Sequence, residues 1–185
     1  VDSRQRLLDT ASRLFRVQGY HATGLNQIVE ESQAPKGSLY HYFPNGKEQL
    51  ASEALVNAGR SLQAKLLGTS GLSPAEAIDR LVEISIRELE DSDYRDGCPI
   101  ATVALETNTS SEAIRGVCQR IFGGALKLLS DWLTGKGVEP ERARVLSLTV
   151  FSAYEGALML SKVQHSPQPL REVAAQLKEF VKDIP

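Results

Sequence analysis

Apolar side chains recur three and four residues apart along nearly the whole of this chain, and no run of β-branched residues alternates with polar ones over the length of a strand. That regularity restricts the fold more than any other feature. A period near 3.6 buries one stripe of a helix, whereas a half-buried strand needs a period of 2. Leu7, Leu8, Ala11, Leu14 and Phe15 make the first stripe, and Leu25, Ile28 and Val29 the second. Leu50, Ala54, Ala58 and Leu62 follow, then Ile78, Leu81, Val82, Ile84 and Ser85, and near the end Leu170, Val173, Ala174, Leu177 and Val181. The expected fold class is all-α, with about nine helices.

Punctuation between the stripes sets their limits. Ser3 and Thr23 stand where side-chain oxygens cap a first and a second helix, and Gly19 stops the first after Gln18. The second ends near Ser32. Pro35 is expected at the first position of a short third helix running to Tyr42, and Asn45-Gly46 restarts the chain into a long fourth. Ser73-Pro74-Ala75-Glu76 reads as a capping box for the fifth. Ile100 to about Glu106 forms the sixth, Ser110 or Ser111 caps the seventh, Pro140 opens the eighth, and the ninth follows "HSPQP".

The 185 residues, 42% of them hydrophobic, suffice for one or two domains with a buried core. The longest apolar run, around Val145 to Tyr154, is interrupted by Ser147, Thr149 and Ser152 and ends at Glu155. That falls short of the roughly 20 residues of a membrane span. Charged residues Arg4, Arg6, Asp9 and Arg13 among the first apolar positions do not suit a secretory signal, so a cytoplasmic location is expected. Cys98 and Cys118 lack metal-ligand spacing and read as free, reduced thiols. Residues 1–50 hold six basic and five acidic side chains; the +1 there and −3 elsewhere point only weakly toward nucleic acid.

The stretch "QAPKGSLYHYFPNGKEQL", Gln33 to Leu50, carries the chemistry. At 100° per residue Leu39 and Phe43 share a face and can anchor the third helix. The opposite face centres on His41, flanked by Gly37 and Ser38, with Tyr40 and Tyr42 at its edges. Gly37 permits close approach of another backbone. Ser38, Tyr40, His41 and Tyr42 can all donate to phosphates or base edges, and the first amides of the helix are available to a phosphate. Two helices joined by a tight turn, the second short and polar outward, make the arrangement that presents a recognition helix to a DNA groove.

"GYHATGLNQIVEESQAPKGSLYHYFPNGKEQL", Gly19 to Leu50, resembles the DNA-binding segment of TetR-type transcriptional repressors. The shared order is glycine-aromatic after the first helix, "AT" before the second, "KGSLY" and "YF" on the third, and lysine at the start of the fourth. "GCPIATVALE", Gly97 to Glu106, and "YEGALMLSKVQ", Tyr154 to Gln164, resemble the LmrA/YxaF-like branch. The resemblance implies a helix–turn–helix DNA-binding domain over residues 1–47 and a larger ligand-binding and dimerisation domain over 48–185. It implies a phosphate contact at Thr23, the tip of the recognition helix at Lys36, Gly37 and Ser38, backbone and base contacts from Tyr40, His41 and Tyr42, and a phosphate anchor at Lys47. His41-Tyr42-Phe43 departs from the tyrosine-x-histidine-phenylalanine of many relatives, which leaves open which of His41 and Tyr42 meets a phosphate.

In such repressors helices four to seven enclose a ligand and helices eight and nine pair with a second subunit. Phe122, Trp132, Phe151, Glu155 and Met159 are the candidate ligand contacts; plain core packing, and an internal ion pair for Glu155, are the alternatives. Leu146, Val150, Ala153 and Ala157 mark one face of the eighth helix, suited to a partner helix or to internal packing. The expected partners are a palindromic double-stranded DNA operator, a small-molecule inducer and a second copy of the chain. No cofactor or metal is expected. The three histidines, His21, His41 and His165, enter no Ser-His-Asp order, phosphate loop or HExxH, so an enzyme is not expected. The competing function is that of a helical small-molecule carrier with no DNA role.

Overall fold

The computed structural model describes residues 2–35, 37–107 and 109–184. Among them are nine α-helices and no strand: α1 (Ser3–Gln18), α2 (Leu25–Ser32), α3 (Ser38–Tyr42), α4 (Gly46–Leu67), α5 (Pro74–Asp91), α6 (Pro99–Thr107), α7 (Glu112–Gly135), α8 (Pro140–Gln164) and α9 (Gln168–Val181). The chain divides into two compact units. Residues 1–60 and 98–121 form one, and residues 61–97 and 122–185 the other. Helices α4 and α7 therefore supply residues to both. The boundary expected at residue 47 falls inside the first unit, where α6 and the first turns of α7 join the N-terminal helices.

In the first unit α1 lies against α2, α3 and α6. Its stripe Leu7, Leu8, Ala11, Leu14 and Phe15 is buried, as are Ile28, Leu39, Phe43, Leu50, Ala51, Ala54 and Leu55, and from α6 and α7 Ile100, Val103 and Ile114. Burying side chains of this size contributes about 1.5–3 kcal/mol each, which is why short helices such as α3 hold their place. Gly19 ends α1 at φ 82, and its amide donates to Phe15 O at 3.1 Å.

In the second unit α9 packs on α5 and α8. Leu66, Ala125 and Phe151 form one buried cluster with Phe122 and Leu129 against it; Leu133, Val138 and Ala143 form another beside Trp132 and Leu146. The Ser73–Glu76 capping box closes as expected, with the Ser73 amide donating to Glu76 at 2.9 Å. Ser111 Oγ accepts from the Ile114 amide at 3.1 Å and so is the cap of α7. Glu139 caps α8 through the Glu141 and Arg142 amides, at 3.0 and 2.9 Å.

Three local expectations are corrected. Ser3 is the first residue of α1 rather than its cap; Asp2 takes that position without a side-chain bond. Gly24, not Thr23, precedes α2 as N-cap. The third helix begins at Ser38, with Gly37 as its N-cap at φ 90, so Pro35 lies in the turn. By length and composition alone α8 is apolar enough to cross a membrane, which the polar interruptions do not suggest.

Candidate nucleic-acid interface

Helix α3 is five residues long, too short to persist alone, and its attachment explains its survival. Leu39 and Phe43 are buried beneath it, at 1% and 0% exposure, as their shared face predicts. The Arg4 guanidinium lies 5.2 Å from the centre of the Phe43 ring and also pairs with Glu53 on α4. A tight turn follows, with the Gly46 amide donating to Phe43 O at 2.8 Å.

The outward side holds the polar aromatic groups. Tyr40 is 62% exposed, His41 is exposed, and Tyr42 is half-buried with its ring edge-on to His41 at 4.9 Å. Gly37 is exposed, and a side chain there would meet nothing within 4 Å. Its role within the protein is therefore its left-handed φ, which a residue with a Cβ adopts only at a cost. Ser38 is half-buried; its amide and its hydroxyl both donate to Pro35 O, at 3.0 and 2.7 Å. The expectation of free amides at this helix start thus fails at Ser38. Lys36 lies outside the described residues.

Thr23 is corrected more strongly. Its side chain is fully buried, its hydroxyl donates to Gly19 O at 2.6 Å and its amide to Tyr20 O at 3.2 Å. It locks the α1–α2 turn and presents no donor outward. Lys47, in the first turn of α4, is half-buried with its ammonium 4.4 Å above the Tyr20 ring. Burial pulls its pKa below the ordinary lysine value, and the Glu106 carboxylate acts in the opposite direction. Tyr20 in turn has a raised pKa, from burial first and the charge of Glu48 second.

Sequence reasoning passed over the groove between α2 and α3. Asn26, Glu30 and Gln33 line it with Gly37 and Tyr40. Gln33 is the left-handed C-cap of α2, at φ 54, a geometry that a glutamine does not announce in the sequence.

The five candidate ligand contacts do not converge. Phe122 and Phe151 meet edge to face at 5.8 Å in one cluster. Trp132 lies in the other, its indole donating to Ser70 O at 3.0 Å. It borders a small apolar cavity with Thr69, Ile78, Leu81, Ser147 and Val150. Glu155 is half-buried, whereas Met159 is 57% exposed on the outer side of α8 and so faces away from the core.

Two family models match this chain. Residues 7–54 fit the bacterial regulatory proteins of the tetR family, and residues 74–176 the C-terminal domain of LmrA/YxaF-like transcriptional regulators. The chain is 41% identical to the uncharacterized HTH-type transcriptional regulator YxaF of Bacillus subtilis over 98% of its own length and 96% of that protein's. The chain belongs to the TetR family, in its LmrA/YxaF-like branch. The HTH-type transcriptional regulator LmrA of the same organism is 34% identical over 98% of this chain and 97% of its own length. A regulatory protein TetR from Rhodobacter sphaeroides shares the fold at a TM-score of 0.87 and 17% identity, covering 96% of this chain and 97% of its own.

A TetR-family chain of this kind is a DNA-binding transcriptional regulator, not an enzyme, and the carrier reading without DNA falls with that assignment. Membership also makes α3 the second helix of a helix–turn–helix, the element that enters the groove in such motifs.

Proposed function

We propose that this regulator is a cytoplasmic repressor that binds a palindromic operator as a homodimer and leaves it when a small molecule occupies the C-terminal unit. The observation that carries the DNA part is the division of α3: Leu39 and Phe43 are buried under the helix while Tyr40, His41 and Tyr42 remain on its outer side. Lys36, Gly37 and Ser38 at the tip of the recognition helix and the three aromatic residues are the base- and backbone-reading set, with Lys47 as a phosphate contact. Thr23 contributes by holding the turn.

The outer side of α8 supports the homodimer. Val145, Leu148, Ser152, Gly156, Met159 and Val163 recur every three or four residues; all but Gly156 are exposed. A methyl group at Gly156 would meet nothing beyond its own helix within 4 Å. Large residues at both ends and small ones in the middle suit two copies of the helix crossing closely at Ser152 and Gly156. Phe180 of α9 is likewise apolar and 56% exposed. The expected partner face at Ala157 is displaced: Ala157 is 2% exposed and packs inside its own protomer.

For the inducer, the small cavity beside Trp132 offers apolar walls in Ile78, Leu81, Leu129 and Val150 within the second unit. These favour a largely apolar ligand. The test is titration of the DNA flanking the regulator's own gene with purified protein. Saturable binding that survives competitor DNA supports the proposal, and absence of binding at low salt sinks it.

A further inference from the structure

The polar side chains of α2 and its C-cap divide into two sets. Gln27, Glu31 and Ser32 are tied within the protein: Gln18 Nε2 donates to Gln27 Oε1 at 2.9 Å, Gln27 Nε2 to Glu31 Oε1 at 2.8 Å, and Ser32 Oγ to Val29 O at 3.0 Å. Arg13 also pairs with Glu31. Asn26, Glu30 and Gln33 lie four and three residues apart, so they share one face, and all three are exposed. Among the described residues nothing hydrogen-bonds or pairs with their side chains. They line the groove that α2 forms with Gly37 and Tyr40, whose apolar walls are Leu25, Val29 and Leu39. Gln33 takes its place there against a backbone preference. Its φ of 54 is a conformation that glycine adopts freely and a residue with a Cβ does not. The side chain returns no hydrogen bond to the described residues for that strain.

We propose that Gln33 is a specificity-determining residue that reads an A·T base pair beside the recognition helix. The proposal rests on α3 entering the major groove. The N-terminal residues of such a helix contact base edges, and Gln33 shares its groove with Gly37, the N-cap of α3. A glutamine amide matches the N7 acceptor and the N6 amino donor of adenine with two hydrogen bonds, and an apolar wall suits the methyl group of the paired thymine. An amide can also donate to a phosphate, but Glu30 opposes that contact. Its carboxylate lines the same groove, with no cation paired to it among the described residues. A phosphate there would meet a like charge, whereas a base edge would not.

The experiment selects binding sites for the full-length protein from duplexes of randomised sequence, and repeats the selection with Gln33→Gly and Gln33→Glu. Glycine relieves the backbone, so Gln33→Gly should melt no lower than the parent and any loss of binding is not a loss of fold. The parent should select A·T at a position where Gln33→Gly has no preference. Gln33→Gly should bind the parent's selected duplex about five- to hundredfold more weakly, with binding to a scrambled duplex unchanged. Gln33→Glu, which accepts but does not donate, should move the preference at that position to C·G. Equal weakening on both duplexes makes Gln33 a phosphate contact and overturns the proposal, as does an A·T preference that either variant retains. If the parent enriches no sequence, or if Tyr40→Ala and His41→Ala leave its selected site unaltered, α3 does not read DNA and the proposal falls with it. If those two variants change the site and Gln33→Gly does not, only the glutamine is wrong.

Discussion

Gly19 shows how much a single position can carry. It ends α1 at φ 82, where a side chain is strained, and a Cβ there would force the Glu106 carboxylate to move aside. Gly19→Ala should lower stability by at least about 1–3 kcal/mol, the usual cost of a non-glycine residue in such a conformation. Glu106→Ala should recover the steric share of that loss and leave the backbone share, which a double-mutant cycle by chemical denaturation measures. The proposed DNA contacts at Ser38 and Lys47 divide in another way. Lys47→Ala should weaken binding to every sequence alike and reduce the salt slope by about one unit. Ser38→Ala should lower discrimination between operator and scrambled DNA by roughly 1–3 kcal/mol if its oxygen accepts from a base edge. Titrations of both DNAs at several salt concentrations distinguish them; a Ser38 variant that mirrors the Lys47 variant makes the serine a phosphate contact.

At the scale of elements, helix ends set stability by different means. α5 closes with a capping box, α3 with a left-handed glycine, and α8 with a carboxylate. Two backbone amides donating to Glu139 hold its pKa below the usual carboxylate value. A depressed folded-state pKa means that its contribution is complete above the unfolded pKa and is lost as pH falls through the folded one. Glu139→Gln should therefore flatten the acid limb of the stability profile below about pH 4.5, near the ordinary glutamate pKa. Because the side chain is exposed the change is small, and thermal melts of the two proteins from pH 7 down to pH 3 measure it. The short helix α3 follows a different rule: it has almost no intrinsic stability, and its position is that of Leu39 and Phe43.

For the whole molecule the decisive surface is the outer side of α8. Its apolar character, sufficient by composition for a membrane, is what the proposed seam between two copies would cover. Ser152→Arg places a charge in that seam without touching the protomer core, so it should give monomers of unchanged helical content by sedimentation and circular dichroism. Ala157→Arg should instead disturb the protomer itself, since the site is enclosed. A Ser152 variant that remains dimeric would put the interface on another face.

Periodicity alone determined that the chain is helical, because 3.6-residue spacing is a local property that no distant contact has to confirm. Local too were the stop at Gly19 and the start at Pro140, the Ser73 box and the anchor pair Leu39–Phe43, and the order of residues from Gly19 to Leu50 was enough to mark the helix–turn–helix. Direction was not local. Whether Thr23 caps a helix or locks a turn, whether Ala157 or Ser152 faces outward, and whether Met159 belongs with Phe151 all depend on which side of a helix its neighbours cover. Two stripes of comparable apolarity on α8 are equivalent until α9 covers one of them. Glu106 gave no signal in its own neighbourhood, because its meaning lies 85 residues away, in the amide of His21.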